Sequence, residues 1–261
     1  MLRAWSGLRA ALGGRRPASG IEATAHALRA VWCDPGGRVM HSAEVAFAGD
    51  SDAAWLDAFR RLRKAAPGAG RRVVCCGPSS WVDALPLRVP ATGELEDLLV
   101  ERARQHLSYP VEEAVLDYVG PQSLTDGTRR ALLVAVPRLQ VCRLLGAAER
   151  SGLRVEVIET AGTALQRALV RLERLDERRT LLVHLDRRHG LFLVVDHEAL
   201  YVERLLSWGA DRFRDVVAAQ LDVPAASAER LLRRHMQESA GVAAWEEVRA
   251  ATDEIVSPVL R

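Results

Sequence analysis

Apolar and polar residues alternate along this chain in short bursts, and the period switches repeatedly between two and about 3.6. Gly20 to Cys33, "GIEATAHALRAVWC", is apolar and alternating for a while, but it carries Glu22, Thr24, His26 and Arg29. Asp34-Pro35-Gly36-Gly37 follows, a strong turn signal before a second apolar run, so strand, turn and strand are expected. Trp55, Leu56, Phe59 and Leu62 share one helical face, with Asp50 or Ser51 as the cap. "VVCCG" predicts a short buried strand, and "PLRVP", bracketed by Pro86 and Pro90, an extended stretch. Thr92 caps a helix through Leu95, Leu98, Leu99 and Ala103 that ends before Tyr109-Pro110. "EEAVLDYVG" and "RRALLVAVP" read as paired strands. "QVCRLLGAAERSG" reads as a helix stopped by Gly152, "RVEVIET" as a strand and "GTALQRALVRLERL" as a helix. "TLLVHLDRRHGLFLVVDHEALYVERLLSWG" predicts three strands with tight connections, and "DRFRDVVAAQL" and "SAERLLRR" predict helices. This alternation defines an α/β chain with mixed sheets, without repeats or low-complexity tracts.

Composition narrows the picture. The chain has 261 residues, 49% hydrophobic and 27% charged, which fits one large or two small domains. Net charge is +2, from 36 basic and 34 acidic residues, and so small an excess argues against a nucleic-acid binder. The basic residues are almost all Arg, a pattern of GC-rich codons that also favours carboxylate and phosphate contacts. Cys33, Cys75, Cys76 and Cys142 include no CxxC, and they read as buried free thiols of a reducing compartment. The apolar runs "ALLVAV" and "GLFLVV" fall far short of the ~20 residues of a membrane-crossing helix. Residues 1–19 form a basic leader whose Leu2, Trp5, Leu8 and Leu12 share one helical face. It reads as a frayed or docked segment, with a membrane-surface contact through Arg3, Arg9, Arg15 and Arg16 as the sharper alternative.

Three further constellations are weak. His184 and His189 flank Asp186 but lack a third metal ligand. Ser79-Ser80 follows Gly77-Pro78 without the far-side Gly of a nucleophile elbow, so a turn is expected. The six tryptophans are scattered, and Trp208 beside Gly209 reads as core.

Several stretches, in order, resemble the PilM family, the cytoplasmic actin-like proteins of type IV pilus assembly. "GIEATAHALRAV" is similar to that family's strand and phosphate-binding turn, and "LPLRVP" to its "R-x-[IL]-x-[LMV]-P". "LEDLLVERARQHLSYPVEEAVLDYVG" carries the strongest likeness, through Tyr109-Pro110, Glu112-Glu113 and Asp117-Tyr118. "AERSGLRVEVIETAGTALQRAL", "ALYVERLLSWGADRF" and "SAERLLRR" resemble later family elements. The resemblance covers Gly20 to the C-terminus. It implies an actin-like (ribonuclease H-like) ATPase fold with an FtsA-type 1C insertion. Subdomain 1A would span 20–86, the inserted 1C 87–166, a return helix of 1A 167–180, and the start of a second lobe (2A/2B) 181–261. The chain stops at Arg261 inside what resembles the family's long helix, so an incomplete C-terminal lobe without the adenine-binding Gly-rich motif is expected.

The family binds ATP between its lobes, and here the matched positions depart from its pattern. Glu22 stands at the family's Asp, Thr24 at its Gly, Ala25-His26-Ala27 at its Ser-rich turn and Arg29 at its Lys. A β-branched Thr tolerates positive φ badly, and His26 adds bulk where a phosphate would lie. In the second phosphate loop His184 replaces Asp and Asp186 replaces Gly, Arg187 and Arg188 follow, and Gly209-Ala210 replaces Gly-Gly. The resemblance with these departures implies a degenerate nucleotide site without cofactor or catalytic residues, against a rival reading as an ATP-binding switch or ATPase with ATP and Mg²⁺ as its cofactors. The resemblance further implies a scaffold, cytoplasmic and peripheral to the inner membrane. Its partner would be the N-terminal tail of a PilN-like bitopic membrane protein, held between 1A and 1C beside Leu95, Leu98, Leu99, Arg102 and Ala103, with other platform and motor proteins attached. An MSHA-pilus or type II secretion adaptor is the remaining alternative.

Overall fold

The computed structural model describes residues 19–34, 38–67, 69–90 and 94–237, the side chains of 121–122 and 235–237 aside. The leader before Ser19, the turn residues Pro35 to Gly37 and the expected cap Thr92 lie outside the described residues. The chain divides into two compact units, residues 1–182 with 193–204 and residues 183–192 with 205–261.

The first unit is built on a five-stranded sheet. Its strands are β1 (Ser19–Ala23), β2 (Ala27–Cys33), β3 (Val39–Ala46), β4 (Arg72–Cys76) and β8 (Arg154–Glu159), in the order β3-β2-β1-β4-β8. The first three strands form an antiparallel meander, and β1–β4 and β4–β8 are parallel pairs. The run read as a single strand from Gly20 to Cys33 is therefore two strands, folded back at Thr24 to His26. Alternation decides which side of β2 is core. Leu28, Ala30 and Trp32 are buried, whereas Arg29 and Val31 point to the other face.

Helix α1 (Asp52–Ala65) buries Trp55, Ala58, Phe59 and Leu62 at helical spacing, and Ser51 Oγ caps it by accepting from Ala54 N–H at 3.2 Å. Helix α3 (Arg138–Arg150) adds Leu144, Ala147 and Ala148 to the same core, together with Ile21, Val73 and Cys75 of the sheet. Arg143 joins the two helices by donating to Asp50 and Asp52, each at 2.8 Å. Gly152, at φ +86°, ends α3 where an L side chain would be strained.

Between β4 and α3 the chain makes a second sheet from β5 (Asp83–Pro90), β6 (Ala114–Ser123) and β7 (Thr128–Pro137), in the order β5-β7-β6. Pro86 and Pro90 are tolerated because β5 is an edge strand and pairs on one side only. Helix α2 (Leu95–His106) covers this sheet with Leu99 and Ala103, which meet Val89, Ala131 and Leu133. The separate sheet thus spans Asp83 to Pro137. Helix α3 and β8 belong with the five-stranded sheet, which shortens the expected 87–166 insertion at its C-terminal end.

Helix α4 (Ala161–Arg171) follows β8. Strands β9 (Thr180–Leu185), β10 (Gly190–Val195) and β11 (Leu200–Leu206) form a third sheet in the order β11-β10-β9, and the division into units falls within these strands. Residues 193–204 cluster with the first unit, so the second does not begin cleanly at 181. The second unit continues with α5 (Ala210–Gln220) and α6 (Ala225–Gln237).

Phe59 is fully buried where α1 meets the five-stranded sheet. Phe59→Ala is expected to remove about 3–5 kcal/mol of stability in urea unfolding. A loss below about 1 kcal/mol would show that this helix face is not the core of the first unit.

Candidate functional site

Ligands of α/β sheets collect beyond the carboxyl ends of parallel strands. The register places Glu22 beside Cys76 and Cys76 beside Glu159, so these three residues form a row at the ends of β1, β4 and β8. The β1–β2 turn rises next to them. Thr24 Oγ1 accepts from the backbone N–H of His26 at 3.2 Å and of Ala27 at 3.0 Å. Thr24 N–H itself donates to Ala27 O at 2.9 Å. A phosphate-binding turn needs such N–H groups turned outward and unspent. Here the threonine hydroxyl takes them. No positive φ is required, since Glu173 and Asp222 are the non-glycine residues that adopt one among the described residues. Ala25 is exposed at the tip, and His26 is half-buried with Nε2 lacking a partner.

Each carboxylate of the row has an arginine. Arg29 Nη1 lies 3.1 Å from Glu22 Oε2, directly across the hairpin register, and its Nε is 3.4 Å from Glu44. Arg167 Nη2 donates to Glu159 Oε1 at 2.6 Å. Burial pushes the Glu159 carboxyl up, and the Arg167 contact opposes that shift. Burial, then the Glu159 charge, pushes the Cys75 thiol up to about 12, and the same two causes raise Cys76 as well. Both are therefore held as thiols at neutral pH, unsuited to nucleophilic chemistry.

Sequence reading passed over Glu159 and its surroundings. Thr160 caps α4, its hydroxyl accepting from Thr163 N–H at 3.1 Å and donating to Glu203 Oε2 at 2.7 Å. Glu203, 4% exposed, also accepts from Gly162 N–H at 3.4 Å. Gly162 is required, because a Cβ there would stand 2.7 Å from the Glu203 carboxyl carbon. Burial raises the Glu203 carboxyl against the pull of these two donors. The available signal was a threonine between a strand end and an Ala-Gly helix start.

In the second unit, the turn after β9 is closed in a different way. Asp186 N–H donates to His189 O at 2.9 Å. Ala210 and Asp211, the first residues of α5, donate their N–H groups to Asp186 O and Arg187 O, each at 2.8 Å. Gly209 permits this contact, since a Cβ would overlap Asp186 O and stand 2.7 Å from His189 N. Arg187 is 3.5 Å from Asp211, which also holds Arg214 at 3.0 Å, and Arg188 is exposed. Trp208 is half-buried, edge-on to Phe213. Among the described residues no three His, Cys, Asp or Glu side chains gather as a metal would need.

Of the residues expected to touch a peptide, Leu99 and Ala103 are fully buried in the core under α2, and Leu95 and Leu98 pack against it. Leu99 and Ala103 are thereby spent on the core, whereas Leu95 and Leu98 stay half-buried. Arg102 is exposed and donates to Gln105 at 3.0 Å. An open apolar groove of the first unit lies elsewhere, between the five-stranded and the separate sheet, with a volume of about 120 Å³. Trp81, Val115, Val134, Val136, Val141 and Ile158 supply its walls, and Glu159 and Thr160 lie among its lining residues. Sequence reading missed it because its walls come from five separate segments.

The architecture is the actin-like ATPase fold. A chain of the PilM–PilN type IV pilus biogenesis complex matches with a TM-score of 0.70 at 18% identity, over 93% of this chain and 75% of that one. The ethanolamine utilization protein EutJ from Carboxydothermus hydrogenoformans matches with 0.53 at 12% identity, over 93% and 70%. The cytoplasmic domain of EpsL, an inner membrane component of the type II secretion system of Vibrio cholerae, matches with 0.50 at 16% identity, over 72% and 71%. No protein-family model matches the chain, and no curated protein matches it in sequence. Among the described residues, no helix is long and apolar enough to cross a membrane.

The Glu203 contacts give a pH dependence. A carboxyl raised on folding contributes stability that is fully present below its unfolded pKa and is lost as pH rises through the folded value. The Glu203 contribution to the melting temperature is therefore expected to shrink as pH rises above the ordinary carboxylate range, and Glu203→Gln should flatten that part of the fall. An equal slope in both proteins would show that Glu203 is not desolvated.

Proposed function

We propose that this chain is a non-enzymatic, actin-like scaffold of a pilus-assembly platform at the bacterial inner membrane. In this reading the five-stranded sheet is subdomain 1A, the separate sheet with α2 is 1C, and the groove between them seats the cytoplasmic tail of a PilN-like membrane protein. The groove is the observation that carries the proposal. It is open and apolar on several walls, and it lies between the two layers that the actin-like likeness pairs. An extended apolar segment fills such a groove with alternate side chains. The likeness to a PilM–PilN complex supports the choice of partner.

The strand-end turns support the non-enzymatic half of the reading. Thr24 occupies the donors of one turn, α5 caps the other, and Arg29 and Arg167 neutralise the two carboxylates nearest the strand ends. Membrane association then comes through the partner, and further platform or motor proteins attach to the scaffold rather than to a nucleotide-driven switch.

Val115 tests the seat, because it lines the groove and is 37% exposed. Val115→Asp should weaken binding of a fluorescein-labelled N-terminal PilN peptide at least about tenfold, with an unchanged melting temperature. Arg102→Ala should leave the affinity alone. Equal affinity of Val115→Asp and the parent chain would remove the groove from the account.

A further inference from the structure

We propose that the end of the five-stranded sheet opposite Glu22 and Glu159 is a direct contact surface for an anionic phospholipid bilayer, in addition to any partner held in the groove. The inference goes beyond the groove reading and does not depend on it.

The starts of three parallel strands lie at this end. Strand β1 enters at Ser19, β4 at Arg72 and β8 at Arg154, and β2 ends and β3 begins beside them. Ser19 is paired with Trp32, and Arg154 N–H donates to Arg71 O at 2.7 Å. The end of α1 joins them, with His41 Nε2 at 2.8 Å from Ala65 O. A cavity of about 260 Å³ lies among Ser19, Trp32, Met40, His41, Pro67 and Gly70, so the apolar part of this end is not filled by its own neighbours.

Charge and apolarity coincide here. Arg38, Lys64, Arg71 and Arg154 are exposed, and the fold gathers them from separate segments. Arg63 and Arg150 stand at the same end, but they donate to Ala69 O and Gly146 O and serve the helix termini. Of the acidic residues nearby, Asp34 accepts from Arg38 N–H at 2.9 Å, Glu156 pairs with Arg72, and Glu149 is exposed. Positive charge is therefore in excess at this end, although the whole chain carries only +2. Beside Arg38, Val39 is 58% and Met40 64% exposed. The sequence leading into Ser19 adds Arg3, Arg9, Arg15 and Arg16 without an acidic residue, together with Leu2, Trp5, Leu8 and Leu12. An anionic headgroup layer takes both features. It attracts several cations at once and admits apolar side chains to the acyl boundary. A nucleic acid would use the cations and leave Val39 and Met40 without a counterpart.

The test is co-sedimentation of the full chain with vesicles of phosphatidylcholine alone, or of phosphatidylcholine with about one-quarter phosphatidylglycerol. At about 0.1 M salt the partition coefficient should be at least tenfold higher on the phosphatidylglycerol vesicles, and it should fall several-fold by about 0.5 M. Arg38→Glu, Lys64→Glu and Arg71→Glu combined should abolish the difference, whereas Arg102→Glu, on α2, should keep it. The same three positions changed to Gln should lose most of the difference, which guards against misfolding of the charge-reversed chain. Val39→Ser with Met40→Ser should weaken binding to the phosphatidylglycerol vesicles and leave its salt dependence unchanged. Equal binding to the two kinds of vesicle, or full binding by the charge-reversed chain, would overturn the proposal. Tighter binding of a double-stranded DNA oligonucleotide than of the vesicles would overturn it as well and assign the cations to nucleic acid. The PilN peptide should bind the charge-reversed and parent chains alike, and its failure to bind either would sink the groove reading alone.

Discussion

The parallel pairing of β1, β4 and β8 is the constraint on which the rest of the first unit depends. It joins strands from opposite ends of a long excursion, because the whole separate sheet is inserted between β4 and β8. Once β8 is in register, three features are set together. Glu22, Cys76 and Glu159 stand in a row, α4 starts beside that row, and the separate sheet is returned to form the other wall of the groove. A one-residue slip of β8 would turn Glu159 to the opposite face and dissolve all three.

The polar groups near the strand ends find partners within the chain. The actin-like architecture leaves turns at the strand ends whose amides can meet a phosphate. In this sequence the Thr24 hydroxyl accepts from two amides of the β1–β2 turn, Arg29 and Arg167 pair with Glu22 and Glu159, and, in the second unit, the first amides of α5 donate to carbonyls of the turn after β9. These contacts are ordinary, each worth about a kilocalorie per mole or so in net terms. The groove beside the strand ends keeps apolar walls, with Glu159 and Thr160 among its lining residues.

Much of the fold was legible in the sequence, because its elements announce themselves locally. The Trp55, Phe59 and Leu62 stripe, the Ser51 cap, the Gly152 stop and the alternation through β6 and β7 all depend on neighbours a few residues away. The fold-back at Thr24 came from the family resemblance and not from local turn signals, because "ATAHA" contains no glycine or proline and its turn is closed by a side chain instead. The end of the insertion was misplaced for a related reason. Nothing local says which sheet a strand such as "RVEVIE" will join; that is decided by pairing with β4, far back in the chain.

The site was less legible than the fold. Positions matched to the family's phosphate turns could be named, but the sequence could not show that Thr24 satisfies the amides or that Arg29 closes on Glu22. Glu159, Arg167 and Glu203 come from β8, α4 and β11 and meet only in three dimensions. The helix face that looked available for a peptide, Leu99 with Ala103, is spent on its own sheet. The most direct test of the account is calorimetric titration of the chain with ATP and Mg²⁺. The account predicts no saturable heat up to about 1 mM nucleotide. Micromolar binding that disappears in Glu22→Ala would contradict it and restore a working nucleotide site.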